Sequence, residues 1–188
     1  MNQPTHRGGT GIVLWHTTMS LDGYIAAPGH GMDWVFEHSG PNPAVDEVMA
    51  SAGAMLSGRN CYDVGRRDTG EPSGEAFGGG WHGAQFVLTH HPPDDDPNVT
   101  FLRGDITAAV RHALDAAGGR DLIVLGADVV GQCLRARLVD EVLIHVLPVV
   151  LGAGVPLLHQ DVANHTELEP LSTETAGRVT NLRFGVVR

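Results

Sequence analysis

Leu122 to Leu125 carries apolar side chains on both of its alternating faces, a pattern that suits a strand covered from both sides. Val142–Val150 is almost as continuous. Ile12–Thr18, Ala54–Ser57, Gln85–Thr89 and Val99–Leu102 read as further strands, with a brief one from Tyr24 to Ala27. Helical segments lie between them. Asn42 suits an N-cap and Pro43 a first helical position, with Val45, Val48, Met49 and Ala52 facing inward. Asp105 caps a second helix, in which Ile106, Val110, Ala113, Leu114 and Ala117 recur at helical spacing before Gly118 and Gly119 stop it. A third follows Gly126-Ala127-Asp128, with Val129, Val130, Cys133, Leu134 and Leu138 inward. Thr166–Thr175 and Val179–Val187 close the chain as two antiparallel strands about Gly177. Strands alternating with helices and ending in a hairpin predict an α/β fold with a mostly parallel central sheet and antiparallel C-terminal strands. No repeat or linker divides the 188 residues, so a single domain over 1–188 is expected, with 1–11 as a flexible tail.

Charge and composition narrow the function. The formal net charge is −10 and no basic stripe is visible, so nucleic acid is not an expected partner. All 12 basic residues are Arg. The absence of Lys excludes a lysine Schiff base and a Walker-type phosphate lysine. Cys61 and Cys133 show no C-x-x-C spacing, so neither a disulfide framework nor a structural zinc site is expected. There is no signal-peptide core and no apolar run of ~18 residues, which leads to the expectation of a cytoplasmic protein without a membrane span.

Three strand ends carry candidate chemistry. Gly58-Arg59-Asn60 and Gly126-Ala127-Asp128 each join a strand to a helix start, where unpaired N–H groups and the helix dipole favour an anion. Arg59 adds a fixed fork of donors. The competing reading is two ordinary strand–helix turns with a surface Arg. Thr89-His90-His91 offers a hydroxyl and imidazoles that can touch a phosphate or stack on a purine, or else are exposed loop residues. Neighbouring His90 and His91 point to opposite faces of an extended chain and do not share a metal ion, so no metal site is expected. Asp22, Tyr24 and Asp33 are the polar groups nearest the end of the first strand. Asp33, beside Trp34, is the one candidate catalytic residue, as a proton donor, with a turn-capping role as the alternative. Gly78-Gly79-Gly80-Trp81-His82-Gly83 matches G-x-G-x-x-G formally but precedes a strand rather than opening a helix, so it is rejected as a dinucleotide fingerprint. It belongs to a Gly-rich stretch, 65–83, that reads as a long loop. The part around Trp81 is the expected place for substrate identity to be encoded.

Several segments together form a pattern. Thr18-Met19-Ser20-Leu21-Asp22-Gly23-Tyr24-Ile25-Ala26 is followed by Gly58-Arg59-Asn60-Cys61-Tyr62 and Phe86-Val87-Leu88-Thr89-His90-His91-Pro92. Leu138-Val139-Asp140-Glu141 and Pro148-Val149-Val150-Leu151-Gly152-Ala153-Gly154-Val155-Pro156-Leu157 come next. In this order they resemble the dihydrofolate-reductase-like superfamily, in the branch of the riboflavin-biosynthesis bifunctional deaminase-reductase C-terminal domain, from about residue 12 to 187. The resemblance implies a three-layer fold, NADPH as hydride donor, a small-molecule substrate and a homodimer. It implies the adenosine 2′-phosphate near Arg59, Asn60, Thr89 and His90, next to Gly58. It implies the pyrophosphate against Gly126, Ala127, Asp128 and Val129, and the nicotinamide beside Ile25 and Ala26. Trp15, Asp22, Tyr24, Asp33 and Trp34 fall on the substrate side. Two positions depart from the family pattern: Leu125 stands where a first glycine usually opens the phosphate turn, and Cys61 replaces a small polar residue. Tyr24 stands where riboflavin reductases tend to carry a basic residue, which points away from a ribityl-phosphate substrate. The implied function is an NADPH-dependent reductase, the alternative a nucleotide-binding or sensor protein on the same fold without turnover, which Leu125 favours.

Overall fold

The computed structural model describes residues 11–38, 40–69, 76–93, 96–159 and 165–188. Most of the expected N-terminal tail therefore lies outside the described residues. In chain order the elements are β1 (Val13–Ser20), β2 (Tyr24–Ala26), α1 (Asp33–Phe36), α2 (Pro43–Ser51), β3 (Ala52–Gly58), α3 (Arg59–Thr69), β4 (Ala84–Leu88) and β5 (Thr100–Leu102). There follow α4 (Ile106–Ala117), β6 (Asp121–Val124), α5 (Ala127–Arg135), β7 (Glu141–Leu147), β8 (Val155–Pro156), β9 (Leu168–Ala176) and β10 (Val179–Val186). Eight strands form one sheet in the order β5-β4-β3-β6-β1-β7-β10-β9. The first six run parallel, while β10 pairs antiparallel with both β7 and β9. Strands β2 and β8 form a separate pair.

The strand pattern dictates the layers. On one face Val13, Trp15, Leu56, Leu122, Val124 and Val142 pack against Val110 and Ala113 of α4 and Val130 and Cys133 of α5. On the other, Leu14, Met55, Ile123 and Leu143 pack against Val48 of α2 and against Trp81. The caps hold as the sequence implies. The Asn42 side chain accepts from the Ala44 N–H at 3.2 Å, and Asp105 accepts from Ala108 at 3.0 Å. Gly118 ends α4 at φ +63°, in the left-handed region that glycine tolerates.

Two expectations change. Helix α3 runs through Gly65, where the sequence reads as loop. Tertiary anchoring overrides the glycine: Arg66 donates to the Tyr62 hydroxyl, which donates to Asp96 at 3.0 Å, and Tyr62 is buried with Val87 and Val99. Trp81 is buried and donates its indole N–H to the Ala52 carbonyl at 3.1 Å, so its own side chain belongs to the core, while Ala76 and Phe77 of the same stretch face the cleft described below. No described helix is long and apolar enough to cross a membrane.

Leu56 is fully buried between the two helices of the first face, and truncation there leaves a void. Leu56→Ala is expected to cost about 3 kcal/mol, read as a lower urea midpoint at unchanged m-value.

Candidate active site

The C-terminal ends of β4, β3, β6 and β1 open into a cleft of about 1230 Å³, walled on the far side by β2 and β8. That exceeds the ~300–1,000 Å³ of a usual small-molecule site, and leaves room for two molecules side by side.

One end is built for anions. Gly126 sits at φ +86°, and a Cβ there would lie 2.7 Å from the Cys61 sulfur, so both backbone angle and space require glycine. The turn delivers the first N–H groups of α5, those of Ala127, Asp128 and Val129, to the cleft wall, where they have no intrahelical acceptor. Leu125 does not have a positive φ; its N–H pairs with the Leu56 carbonyl at 3.0 Å. The substitution therefore leaves the left-handed turn intact. Burial pushes the Cys61 thiol above its ordinary range, so it faces Gly126 as a neutral group.

Arg59 begins α3 at the cleft mouth. Its Nε donates to both Asp63 carboxylate oxygens at 2.8 and 2.9 Å, and a terminal nitrogen donates to the His91 carbonyl at 2.6 Å. These bonds fix the plane of the guanidinium. Thr89 Oγ1 accepts from the His91 N–H at 3.2 Å, which closes the turn after β4. Gly58, Arg59, Asn60, Thr89, His90, Gly126, Ala127, Asp128, Val129, Ile25 and Ala26 all line this one cleft. Across the mouth, Nε2 of His159 lies 3.3 Å from the Asp128 carboxylate.

The residues expected on the substrate side behave differently. Trp15 is 5% exposed in the core under α4 and α5. Trp34 is buried with Leu147 and Val179, and its indole N–H is the one sealed, unpartnered side-chain polar atom among the described residues. Tyr24 pairs with Pro156 across the β2–β8 ladder. Asp33 is exposed at the start of α1, off the cleft wall. Asp22 serves as a clasp. Desolvation acts to raise its pKa, but the Ser20 hydroxyl at 2.7 Å and the Leu151 and Gly152 N–H groups at 3.0 and 2.7 Å hold its carboxyl below the usual range. None of these five lines the cleft.

The cleft instead presents a residue the sequence reading did not single out. His16 of β1 lines the floor, and its Nε2 lies 2.7 Å from Nε2 of His145 on β7. His145 Nδ1 lies 2.6 Å from the Asn181 carbonyl oxygen, and Asn181 and Asn42 exchange amide bonds at 2.9 and 3.0 Å. All four side chains are buried. Burial, reinforced by His145, drives the His16 pKa from 6.5 to about 3, and burial likewise lowers that of His145 against the opposing bond to Asn181. Among the described residues no three His, Cys, Asp or Glu come together as a metal set.

The sequence profile of the RibD C-terminal domain matches residues 12–182. The chain belongs to that family. It is similar to YwjB, an uncharacterized protein of Bacillus subtilis (strain 168), with 28% identity over 173 residues that cover 90% of this chain and 94% of YwjB. The fold is similar to that of a putative riboflavin biosynthesis protein from Shewanella sp. PV-4, with a TM-score of 0.78 at 23% identity, covering 94% of this chain and 99% of that one. Dihydrofolate reductase from Enterococcus faecalis, solved with NADP(H), superposes with a TM-score of 0.65 at 12% identity, over 96% of this chain and 99% of that one. These likenesses place the protein on the dihydrofolate-reductase-like α/β fold.

The histidine pair makes stability depend on pH. Unfolded imidazoles take up protons near 6.5, whereas folded His16 does so only near 3, so unfolding binds protons throughout that window. Stability is fully present above about pH 6.5 and falls as the pH drops below it, by up to about 1.4 kcal/mol per pH unit for each histidine. Urea denaturation of the wild type and of His16→Gln, from about pH 7 to about pH 4.5, is expected to show the shallower dependence in the variant.

Proposed function

We propose that this protein is an NADPH-dependent reductase of a small conjugated or imine-containing substrate, acting as a single reductase domain. The observation that carries the reading is convergence. Eleven residues from four parts of the chain, among them the Arg59 fork, the Thr89 turn and the N–H groups after Gly126, face one cleft large enough for a dinucleotide and a substrate. The residues present fit the cofactor. The left-handed turn at Gly126, where a Cβ would press on the Cys61 sulfur, leaves the first-turn N–H groups and the helix dipole to suit a pyrophosphate. Arg59, held edge-on by Asp63 and the His91 carbonyl, keeps N–H groups for a 2′-phosphate, with Thr89, His90 and Asn60 beside it.

When bound, the nicotinamide supplies a hydride from its C4. The chain's own part is to orient and to exclude water. Ile25 and Ala26 offer apolar contact on the β2 wall, where Gly154, at φ +145°, lets β8 approach so closely that a Cβ would lie 2.0 Å from the Ala26 carbonyl oxygen. No carboxyl of a described residue lines the β1 side of the cleft, which is consistent with water serving as the source of the proton that completes the reduction.

The alternative, a nucleotide-binding protein without turnover, draws on Leu125, whose backbone leaves the turn at Gly126 intact while its side chain lines the cleft. Calorimetric titration with NADPH and NADH tests the proposal. NADPH is expected to bind in the micromolar range and NADH much more weakly. Arg59→Ala is expected to weaken NADPH about ten- to a hundredfold, with little effect on NADH. Failure of both dinucleotides to bind would overturn the reading. Substrate-dependent oxidation of NADPH then separates an enzyme from a sensor.

A further inference from the structure

The two ends of the cleft differ in charge. Among the described lining residues, the Arg and Asp side chains are Arg59, Asp128 and Arg135, all on α3 or α5. Over β1, β2 and α1 the walls are Ile25, Met32, Phe36, Thr17 and Thr18, with His30 between β2 and α1 and Phe77 closing over His16 at 5.5 Å between ring centroids and 32° between planes. A phosphate or carboxylate carried into that end meets no described Arg, and only His30 and the Thr17 and Thr18 hydroxyls to offset its desolvation. Apolar, aromatic and thioether walls favour an uncharged planar group.

The protonation of His16 follows from one backbone donor. The Ala44 N–H, in the first turn of α2, fixes the Asn42 oxygen as the acceptor, so the Asn42 amide nitrogen must donate to Asn181 Oδ1. Asn181 Oδ1 is then a carbonyl acceptor, and His145 Nδ1, 2.6 Å away, must carry the proton. The 3.4 Å approach of Asn42 Nδ2 to the same Nδ1 sets two donors side by side and is not a bond. His145 Nε2 is therefore bare and accepts from His16 Nε2–H at 2.7 Å. That leaves a lone pair on His16 Nδ1. No described residue bonds it, and His16 lines the cleft floor, so this nitrogen is the acceptor His16 offers a ligand there.

We propose that the substrate end of the cleft takes a flat, uncharged molecule that presents an N–H or O–H donor to Nδ1 of His16. His145, Asn181 and Asn42 are positioning residues that fix this tautomer. The acceptor stands on this geometry alone; that its ligand is the reduced substrate rests on the reductase reading.

The test uses ¹⁵N-histidine-labelled full-length protein without NADPH, probed with phenol, anisole and 4-hydroxybenzoate. Histidine ¹⁵N spectra are expected to show His16 protonated on Nε2 and bare on Nδ1. Phenol should shift the Nδ1 resonance, whereas anisole, of the same shape without the donor, should not. Phenol should bind about three- to tenfold more tightly than anisole, a preference lost in His16→Phe, and 4-hydroxybenzoate more weakly than phenol. His145→Leu should let His16 populate both tautomers; where that variant does not fold, the wild-type spectra still decide. A proton on His16 Nδ1, equal shifts with phenol and anisole, no shift with phenol, or tighter binding of the benzoate would each overturn the proposal. Because these spectra need no dinucleotide, failure to bind NADPH would defeat the reductase reading and leave this acceptor standing.

Discussion

Everything at the cleft depends on the insertion of β6 between β3 and β1. The chain builds β1, moves outward through β3, β4 and β5, and returns to lay β6 back beside β1 before continuing to β7 on the other side. The reversal leaves a crevice beyond the strand ends at the middle of the sheet, where open α/β sheets collect ligands. It also brings the start of α5 to the centre of the molecule rather than to its edge. A helix start needs acceptors for its first N–H groups, and α5 has no side-chain cap to supply one. The cleft inherits those donors because the cap position is a glycine at φ +86°.

The buried polar chain from Asn42 to His16 works against the usual rule for an interior. Four polar side chains are sealed beneath the sheet, a cost that is recovered only when every donor finds an acceptor. Here the donors converge on the Asn181 carbonyl oxygen, from the Asn42 amide on one side and from His16 through His145 on the other. Because no charged partner touches the pair, both rings are held neutral by burial. The same absence of charge continues into the cleft above His16, while the Arg and Asp side chains gather over α3 and α5. Fold and electrostatics thus divide the cleft at the same place.

Long elements were legible in the sequence because their periods are unambiguous. The apolar run at Leu122, the caps Asn42 and Asp105 and the Gly177 hairpin all appear where the residues imply. Helix α1 has four residues and β8 has two, too few for any period to register, so β2 was legible but β8 and its pairing with β2 were not. The polar chain was hidden for another reason: His16 and His145 are 129 positions apart and meet only through the β1–β7 register. One signal was present, since His145 interrupts an otherwise apolar run. Trp15 shows the cost of a single step along a strand. Alternation turns Val13 and Trp15 toward α4 and α5 and Leu14 and His16 toward the opposite face, so the residue expected at the substrate lies in the core and its neighbour on the cleft floor.

The wall opposite α5 is positioned with less redundancy than the floor. Asp22 bonds Ser20, Leu151 and Gly152 and so ties the turn after β1 to the segment before β8, and Gly154 lets that segment lie against the Ala26 carbonyl. Beyond β8, Leu157 and Leu158 pack against the core cluster that includes Val129 and Val130, and at the mouth His159 reaches Asp128, both at least half exposed. An exposed pair of this kind contributes little, and its strength depends on the protonation of the imidazole and on salt. The floor, by contrast, is fixed by parallel strand pairing and by side chains buried on both faces. The same cleft therefore combines a rigid base, which sets the geometry of His16 and Gly126, with a rim whose outermost tie to α5 is an exposed and weak ion pair.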